Sequence, residues 1–267
     1  MVAAFDAIVD ARGGDPWRPA RRALVFAFLL GFYAVAVWLT RVDLGRLFEG
    51  LPKLAFWLGQ AWPPAIAELP VILLRTAETV AIAALGTTIA VLLAIPTVLL
   101  ASRNITPLPW AYLPTRWLLN ALRGIDSFVF ALILVAAVGL GPFAGMLGVA
   151  LHTWGSAAKL FADHVESASL ATVDAMRTTG AGRLTAIVYA LVPQLAPVSA
   201  STALYLFEFN VRASMVLGVV GAGGIGQELK NSMDLLDFAR LATIIAVMLV
   251  VVTVIDQVSG ALRARLK

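Results

Sequence analysis

The sequence predicts an all-α integral membrane protein of about six transmembrane helices. Hydrophobic residues make up 60% of the 267 positions and charged residues only 13%, against about 45–50% and about 25% in soluble domains. A soluble fold could not bury that much apolar surface. Because a spanning helix takes about 20 largely apolar residues, the spans and their loops fill the chain as one membrane domain.

Charge and cysteine content exclude several kinds of site. The sequence has no cysteine, which excludes disulfides, thiolate metal sites and thiol nucleophiles. We interpret the net charge of +4 as Lys and Arg kept on the cytoplasmic side of the membrane, not as nucleic-acid binding. The polar segment 1–22 lacks an apolar run ending in a cleavage site, so it predicts a cytoplasmic N-terminal segment and not a cleaved signal peptide.

The uncharged stretches predict the spans in chain order. The first, 23–40, follows two arginines, as a cytoplasmic start requires, and 41–70 has leucines at helical spacing that predict an amphipathic segment in the outer interface. The third span ends where Gly139–Pro142 breaks the helix. The predicted second to sixth spans are, in order, 79–102, about 117–139, 143–162, 190–219 and about 241–255.

The distribution of Lys and Arg predicts the orientation. The loops on the side of the termini carry most of the basic residues, so both termini are expected in the cytoplasm. The membrane domain would then cover 23–262, and 263–267 would form a basic C-terminal tail.

One sizeable internal polar segment, 159–183, interrupts the apolar pattern and is cytoplasmic by the parity of the spans. Its composition predicts a short helix, a turn at Gly180 with positive φ, and a second helix. On composition alone, an ordinary surface loop is an equal alternative.

This segment resembles the EAA loop of ABC-importer permeases. Asp174, Ala175, Gly180 and Pro193 match the acidic residue, first alanine, glycine and proline of that loop, and Met176 replaces its second alanine. The resemblance implies a coupling segment, at about 163–189, that contacts a cytoplasmic ATPase. Its implied contact residues are Asp174, Ala175, Met176, Arg177, Gly180 and Arg183.

The resemblance covers nearly the whole chain and is strongest to phosphonate/phosphite-type permeases, at 136–148, 205–212 and 216–229. It implies a type I ABC importer permease fold in a bacterial cytoplasmic (inner) membrane. The implied partners are a second copy of the chain, two ATPase subunits, a periplasmic or lipid-anchored binding protein and membrane lipid. No cofactor is expected in this chain, and ATP and Mg are expected in the ATPase.

The function implied by the resemblance is non-catalytic: the membrane-spanning subunit of an importer for phosphonate or a related oxyanion, such as phosphite or a phosphate ester. Two alternatives remain, a permease for another small solute and a secondary transporter, although the latter would favour inverted repeats. No G-x-x-x-x-G-K-[ST] motif occurs in the chain, so this subunit is not expected to hold ATP in a P-loop.

Charged and polar side chains in the fifth span indicate a pathway through the membrane. Charges at that depth cost at least about 2.5–3.5 kcal/mol each, so they usually face a bundle interior or a pathway. The residues are Glu208, Asn210 and Arg212. Glu208 and Arg212 are spaced to pair along one helix face, and a structural pair or a contact between Arg212 and a passing anion both remain open.

A glycine-rich stretch follows the fifth span. Its members are Gly221, Gly223, Gly224, Gly226 and Gln227. The G-x-G-x-x-G spacing is weak evidence for dinucleotide binding, which requires a preceding strand. We expect instead a tight or re-entrant outer loop near the substrate entrance, with a plain connecting turn as the alternative.

The two histidines, His152 and His164, have no neighbouring cysteine and predict packing or interface roles, not a metal site. A membrane enzyme would need a His, Ser, Asp or metal constellation at one membrane face, and two isolated histidines do not supply one.

Overall fold

The computed structural model describes residues 18–266, and every regular element in that range is helical. The α-helices are α1 (Arg18–Thr40), α2 (Leu44–Gln60), α3 (Leu69–Ala101), α4 (Pro109–Gly124), α5 (Ser127–Val138), α6 (Pro142–Ser167), α7 (Ala171–Thr178), α8 (Arg183–Ala186), α9 (Val192–Leu217), α10 (Ile225–Asp234) and α11 (Phe238–Arg265). Short 3₁₀ turns precede α3 and follow α9, and a π-helical turn, Ile187–Leu191, joins α8 to α9.

The chain divides into two compact units, residues 1–57 and 58–267. In the first unit, α1 matches the predicted first span, and large side chains such as Phe28 and Trp38 are exposed along it. The segment predicted to be amphipathic forms α2, which buries none of its residues. The predicted N-terminal segment 1–22 lies mostly outside the described residues.

The second unit is built around α6, which packs against α3, α4, α5 and α9. Glycines on α6 allow this close approach: a Cβ on Gly148 would lie 2.9 Å from the backbone N of Ala131, and one on Gly155 would lie 2.8 Å from that of Arg123. Small residues at helix contacts are the usual means of packing helices in membranes. Helices already surrounded by lipid gain little from burying apolar surface against each other.

Within residues 18–266, four helical segments are long and apolar enough to cross a membrane: Ala23–Thr40, Ile66–Ala101, Arg183–Val220 and Phe238–Arg265. A fifth is added if α4 and α5 count as one span bent by 88°. The predicted fourth span is α6, which is long enough but richer in small and polar residues. Because neighbouring helices surround α6, its small and polar residues face protein. The all-α membrane fold that the sequence predicts is confirmed.

Two spans differ from their predicted limits. α3 begins at Leu69, before the predicted start at 79, and so includes Arg75 and Glu78. These two side chains form an ion pair, with Arg75 Nη1 2.8 Å from Glu78 Oε2. Because pairing offsets part of the cost of two charges, the helix can extend past the uncharged stretch that the sequence marks.

The predicted third span is broken between α4 and α5. α4 ends at Gly124, and the side chain of Asp126 caps α5 by accepting a 2.8 Å hydrogen bond from the backbone N–H of Phe128. An N-cap fixes where a helix begins, so the bend of 88° lies at residues 124–127. Hydropathy alone marked this stretch as one continuous segment.

Candidate coupling segment and membrane pathway

The polar segment folds as the sequence predicts, into two helices joined by a glycine turn. After α7, Gly180 has a φ of +88°, and its N–H donates a 3.0 Å hydrogen bond to the Arg177 carbonyl oxygen. Gly182 then returns to extended backbone and precedes α8. Because L-residues rarely adopt the left-handed region, a glycine at position 180 lets the chain reverse without strain.

The helix α7 has one anchored face and one free face. Val173 is buried and Met176 is half-buried against an apolar cluster that includes residues of α3 and α6. Asp174, Ala175 and Arg177 are exposed. The segment is therefore held in place by its apolar side chains while its charged side chains remain available to a partner.

An ion-pair cluster ties α4 to the C-terminal end of α6, next to the coupling segment. Arg116 lies 3.1 Å from Asp163 Oδ1 and 2.9 Å from Glu166 Oε1. Arg183, one of the predicted coupling residues, donates a 3.2 Å hydrogen bond to the Thr106 carbonyl oxygen. Sequence analysis missed this cluster. The sequence does carry a signal for it, namely an excess of arginine in 103–123 and two acidic residues near the end of α6.

Of the predicted pathway residues, Asn210 lies deepest. Its side chain is 1% exposed; it donates a 2.8 Å hydrogen bond to Thr87 Oγ1 and accepts one of 3.1 Å from Thr153 Oγ1. This network joins α9 to α3 and α6. Because buried polar groups need partners, the network fixes the register of three helices at the centre of the bundle.

Of the two alternatives left open for Glu208 and Arg212, the structure excludes the pairing of one with the other. Each pairs with a residue of α11: Arg212 Nη1 lies 2.9 Å from Asp256 Oδ1, and Glu208 Oε1 lies 2.6 Å from Arg263 Nη1. α11 packs along α9, which brings Asp256 and Arg263 within reach of these two side chains. Arg212 is therefore neutralised within the chain.

The glycine stretch forms a tight connection between α9 and α10. Gly221, Gly223 and Gly224 all have positive φ, from +75° to +83°. The loop is fixed by two hydrogen bonds: Gly141 N–H to the Gly221 carbonyl oxygen at 2.9 Å, and Ile225 N–H to Thr79 Oγ1 at 2.8 Å. It follows a helix and not a strand, as the tight-loop prediction required.

Two glycines around this connection pack backbone against backbone. A Cβ on Gly226 would overlap the Met215 carbonyl oxygen and lie 3.0 Å from the Cα of Gly218. Gln227 is exposed beside them. The connection therefore leaves no room for a side chain at its centre.

We expect Gly226→Ala to destabilise the protein by about 1–3 kcal/mol, the usual cost of overpacking a core. The matched control is Gly260→Ala in α11, where nothing lies within 4 Å of the added Cβ and where alanine should gain about 0.5–1 kcal/mol. Thermal unfolding of both variants in detergent measures the difference. Equal melting temperatures would contradict this packing.

His152 and Arg240 both have structural partners. His152 Nδ1 lies 2.8 Å from the Ile125 carbonyl oxygen, and its ring stacks on Phe209. At the opposite end of the unit from the coupling segment, Arg240 pairs with Glu68 and Glu228, both at 2.8 Å. Sequence analysis missed this second cluster because its members are far apart in the chain.

Comparison with known proteins identifies the family of this fold. Residues 86–267 match the family described as "Binding-protein-dependent transport system inner membrane component". The permease protein HtxC of Stutzerimonas stutzeri, whose name assigns it to a phosphite transport system, is 44% identical over 247 residues, 91% of this chain and 88% of its own. The phosphite transport system permease protein PtxC of Stutzerimonas stutzeri is 38% identical over 242 residues, 90% of this chain and 88% of its own.

A solved structure supports the same fold. A chain of the MetNI methionine ABC transporter, in an inward-facing conformation, superposes with a TM-score of 0.64 at 16% identity, over 75% of this chain and 98% of that one. At that identity the likeness concerns the fold alone. The chain belongs to the family of binding-protein-dependent transport system inner membrane components, the permease subunits of ABC importers.

Proposed function

We propose that this chain forms the translocation pathway of an ATP-driven importer for a phosphorus oxyanion: phosphonate, phosphite or a phosphate ester. The observation that carries the substrate class is the identity, over most of the chain, to two permeases named for phosphite transport. Phosphorus oxyanions are well matched by arginine, which offers paired N–H donors.

The proposed assembly contains two copies of the chain, two ATPase subunits and an external binding protein. The coupling segment supports the ATPase contact, since Asp174 and Arg177 are exposed on a helix whose opposite face is anchored. ATP and Mg would bind in the ATPase subunits, and closure of those subunits would move α7 against the membrane helices. The pathway would then open alternately to the two sides of the membrane.

The proposed orientation places both termini and the coupling segment in the cytoplasm of a bacterial inner membrane. The chain has no cysteine, so single introduced cysteines report their own location. Leu108→Cys and Thr179→Cys should be shielded from an impermeant thiol reagent in intact cells, because both lie on the cytoplasmic side. Leu140→Cys and Leu235→Cys, at residues 79% and 75% exposed, should be labelled.

One pattern of labelling would contradict the proposed orientation. All four positions should react after the cells are opened, which controls for reactivity. Labelling of position 179 in intact cells, with shielding of position 140, would place the coupling segment outside and reject the ATPase contact.

Stimulated ATP hydrolysis tests the proposed function. The chain should co-purify with its ATPase, and the binding protein loaded with phosphite or an alkylphosphonate should stimulate hydrolysis by the complex. Stimulation by another small solute, with none by phosphorus oxyanions, would support a permease for that solute. Solute uptake by the chain alone, without the ATPase, would support a secondary transporter and reject the proposal.

A further inference from the structure

A pocket of about 200 Å³ lies between the end of α4 and the facing sides of α6 and α9. Its polar lining consists of Arg123, His152, Thr153, Ser156, Tyr205 and Asn210. None of the residues that line it is acidic. Since a water molecule takes about 30 Å³ of liquid volume, the pocket has room for the few heavy atoms of a small oxyanion.

Three hydrogen-bond donors in this pocket have no partner among residues 18–266. The guanidinium of Arg123 and the hydroxyls of Ser156 and Tyr205 make no hydrogen bond or ion pair there, and Arg123 and Tyr205 are exposed at the mouth of the pocket. Thr153 and Asn210 are bonded to each other and to α3, so they form a fixed wall. An uncompensated cation beside free hydroxyl donors is suited to an oxyanion, which only accepts hydrogen bonds when fully ionised.

The pocket opens on one face of the unit, where Arg123 and Tyr205 are exposed, and it lies level with the middle of α6 and not at the C-terminal end of that helix. Arg123 packs beside Gly155 near the middle of α6, whereas Arg116 pairs with Asp163 and Glu166 near the end of that helix. At 1.5 Å per residue, these partners lie roughly 12–16 Å further along α6. Arg123 belongs to the bent pair α4 and α5, which can count as one span. Charged residues within spans usually mark a pathway, and a broken helix is tolerated there where it lines a cavity.

Resting on the proposed function, we propose that this pocket binds the oxyanion in transit and that Arg123 makes the charge-assisted contact. Arg212, for which sequence analysis left this role open, is neutralised by Asp256. The break after Gly124 carries the end of α4 into the pocket, and the contact between His152 and the Ile125 carbonyl oxygen holds that break in place. Two parallel N–H donors from one guanidinium would orient the phosphorus group.

Uptake by the reconstituted complex gives the first test. At saturating loaded binding protein, Arg123→Gln should lower phosphite uptake at least about tenfold, because hydrogen bonds to charged groups are among the strongest that a site loses. Arg123→Lys should lower it less, since the charge remains and the fork is lost. Arg103→Gln removes an exposed charge outside the pocket and should leave uptake unchanged. Assembly of each variant with the ATPase, followed by size-exclusion chromatography, controls for misfolding.

Protection of an introduced cysteine gives a second test that needs no transport. Phe209→Cys places the only thiol of the chain in the pocket lining, and inorganic phosphite should slow its reaction with N-ethylmaleimide in lipid-free detergent. Adding Arg123→Gln should raise the half-protecting concentration at least about tenfold. Protection by phosphatidylglycerol nanodiscs without phosphite would instead assign the pocket to a lipid headgroup and overturn the proposal.

The two tests separate failure of the site from failure of the function. Wild-type uptake that persists in Arg123→Gln, or a reaction rate that phosphite does not change, overturns the site alone. A wild-type complex that transports no phosphorus oxyanion rejects the proposed function, and the protection assay then decides the pocket independently.

Discussion

Replacing Gly180 with valine is expected to abolish transport and substrate-stimulated ATP hydrolysis while membrane insertion is retained. Gly180 has a φ of +88°, where a β-branched residue is an outlier and an ordinary L-residue costs roughly 1–2 kcal/mol. The turn would relax by moving α7 relative to α8, so the exposed face with Asp174 and Arg177 would lose the register that the proposed ATPase contact requires.

The matched control is Gly180→Asn, because asparagine tolerates the left-handed region and the site is open, with nothing within 4 Å of an added Cβ. Asparagine should therefore retain most stimulated hydrolysis. Normal stimulation in the valine variant would remove position 180 from the coupling path. Equal loss in both variants would show that the side chain blocks the contact directly and that backbone strain is not the cause.

Arg263→Met is expected to cause the largest loss of stability, roughly 3–5 kcal/mol, the usual cost of leaving a buried charge without its partner. Its partner Glu208 is 6% exposed, and neither Glu208 Oε1 nor Arg263 Nη1 makes a hydrogen bond among the described residues. The ion pair of 2.6 Å is therefore the compensation available to both atoms. Thermal unfolding in detergent measures the loss.

The double variant Glu208→Leu with Arg263→Met should recover most of that stability, since replacing a whole buried pair with apolar residues is often neutral or stabilising. Lys230→Ala removes one partner of an exposed pair with Asp234 and should change stability by less than about 1 kcal/mol. If Arg263→Met lowered the stability no more than Lys230→Ala does, the ion pair would not contribute the predicted stability. The same would follow if the double variant were no more stable than Arg263→Met alone.

Local sequence was sufficient for the coupling segment. The turn at Gly180 depends on one glycine between two short helical runs, and its conformation follows from neighbouring residues alone. The exposure of Asp174 and the burial of Val173 follow from the same short pattern. The role proposed for the segment, contact with an ATPase, comes from the resemblance to the EAA loop and not from composition.

Contacts between distant residues could not be predicted. Spacing along one helix paired Glu208 with Arg212, whereas their partners Asp256 and Arg263 come from α11, whose position depends on the packing of the whole bundle. Hydropathy likewise placed Arg123 near the start of one continuous third span, about 117–139. A hydropathy window cannot detect a bend of 88°, and this bend brings Arg123 beside the centre of α6.

Uptake into vesicles tests the central claim most directly. The permease and its ATPase are reconstituted together, ATP is enclosed on the ATPase side, and binding protein with labelled phosphite is added to the other side. An importer predicts accumulation of phosphite above the external concentration that requires ATP and the binding protein and is lost in Gly180→Val. Phosphite entry that proceeds equally without ATP, or that only equilibrates across the membrane, would contradict it.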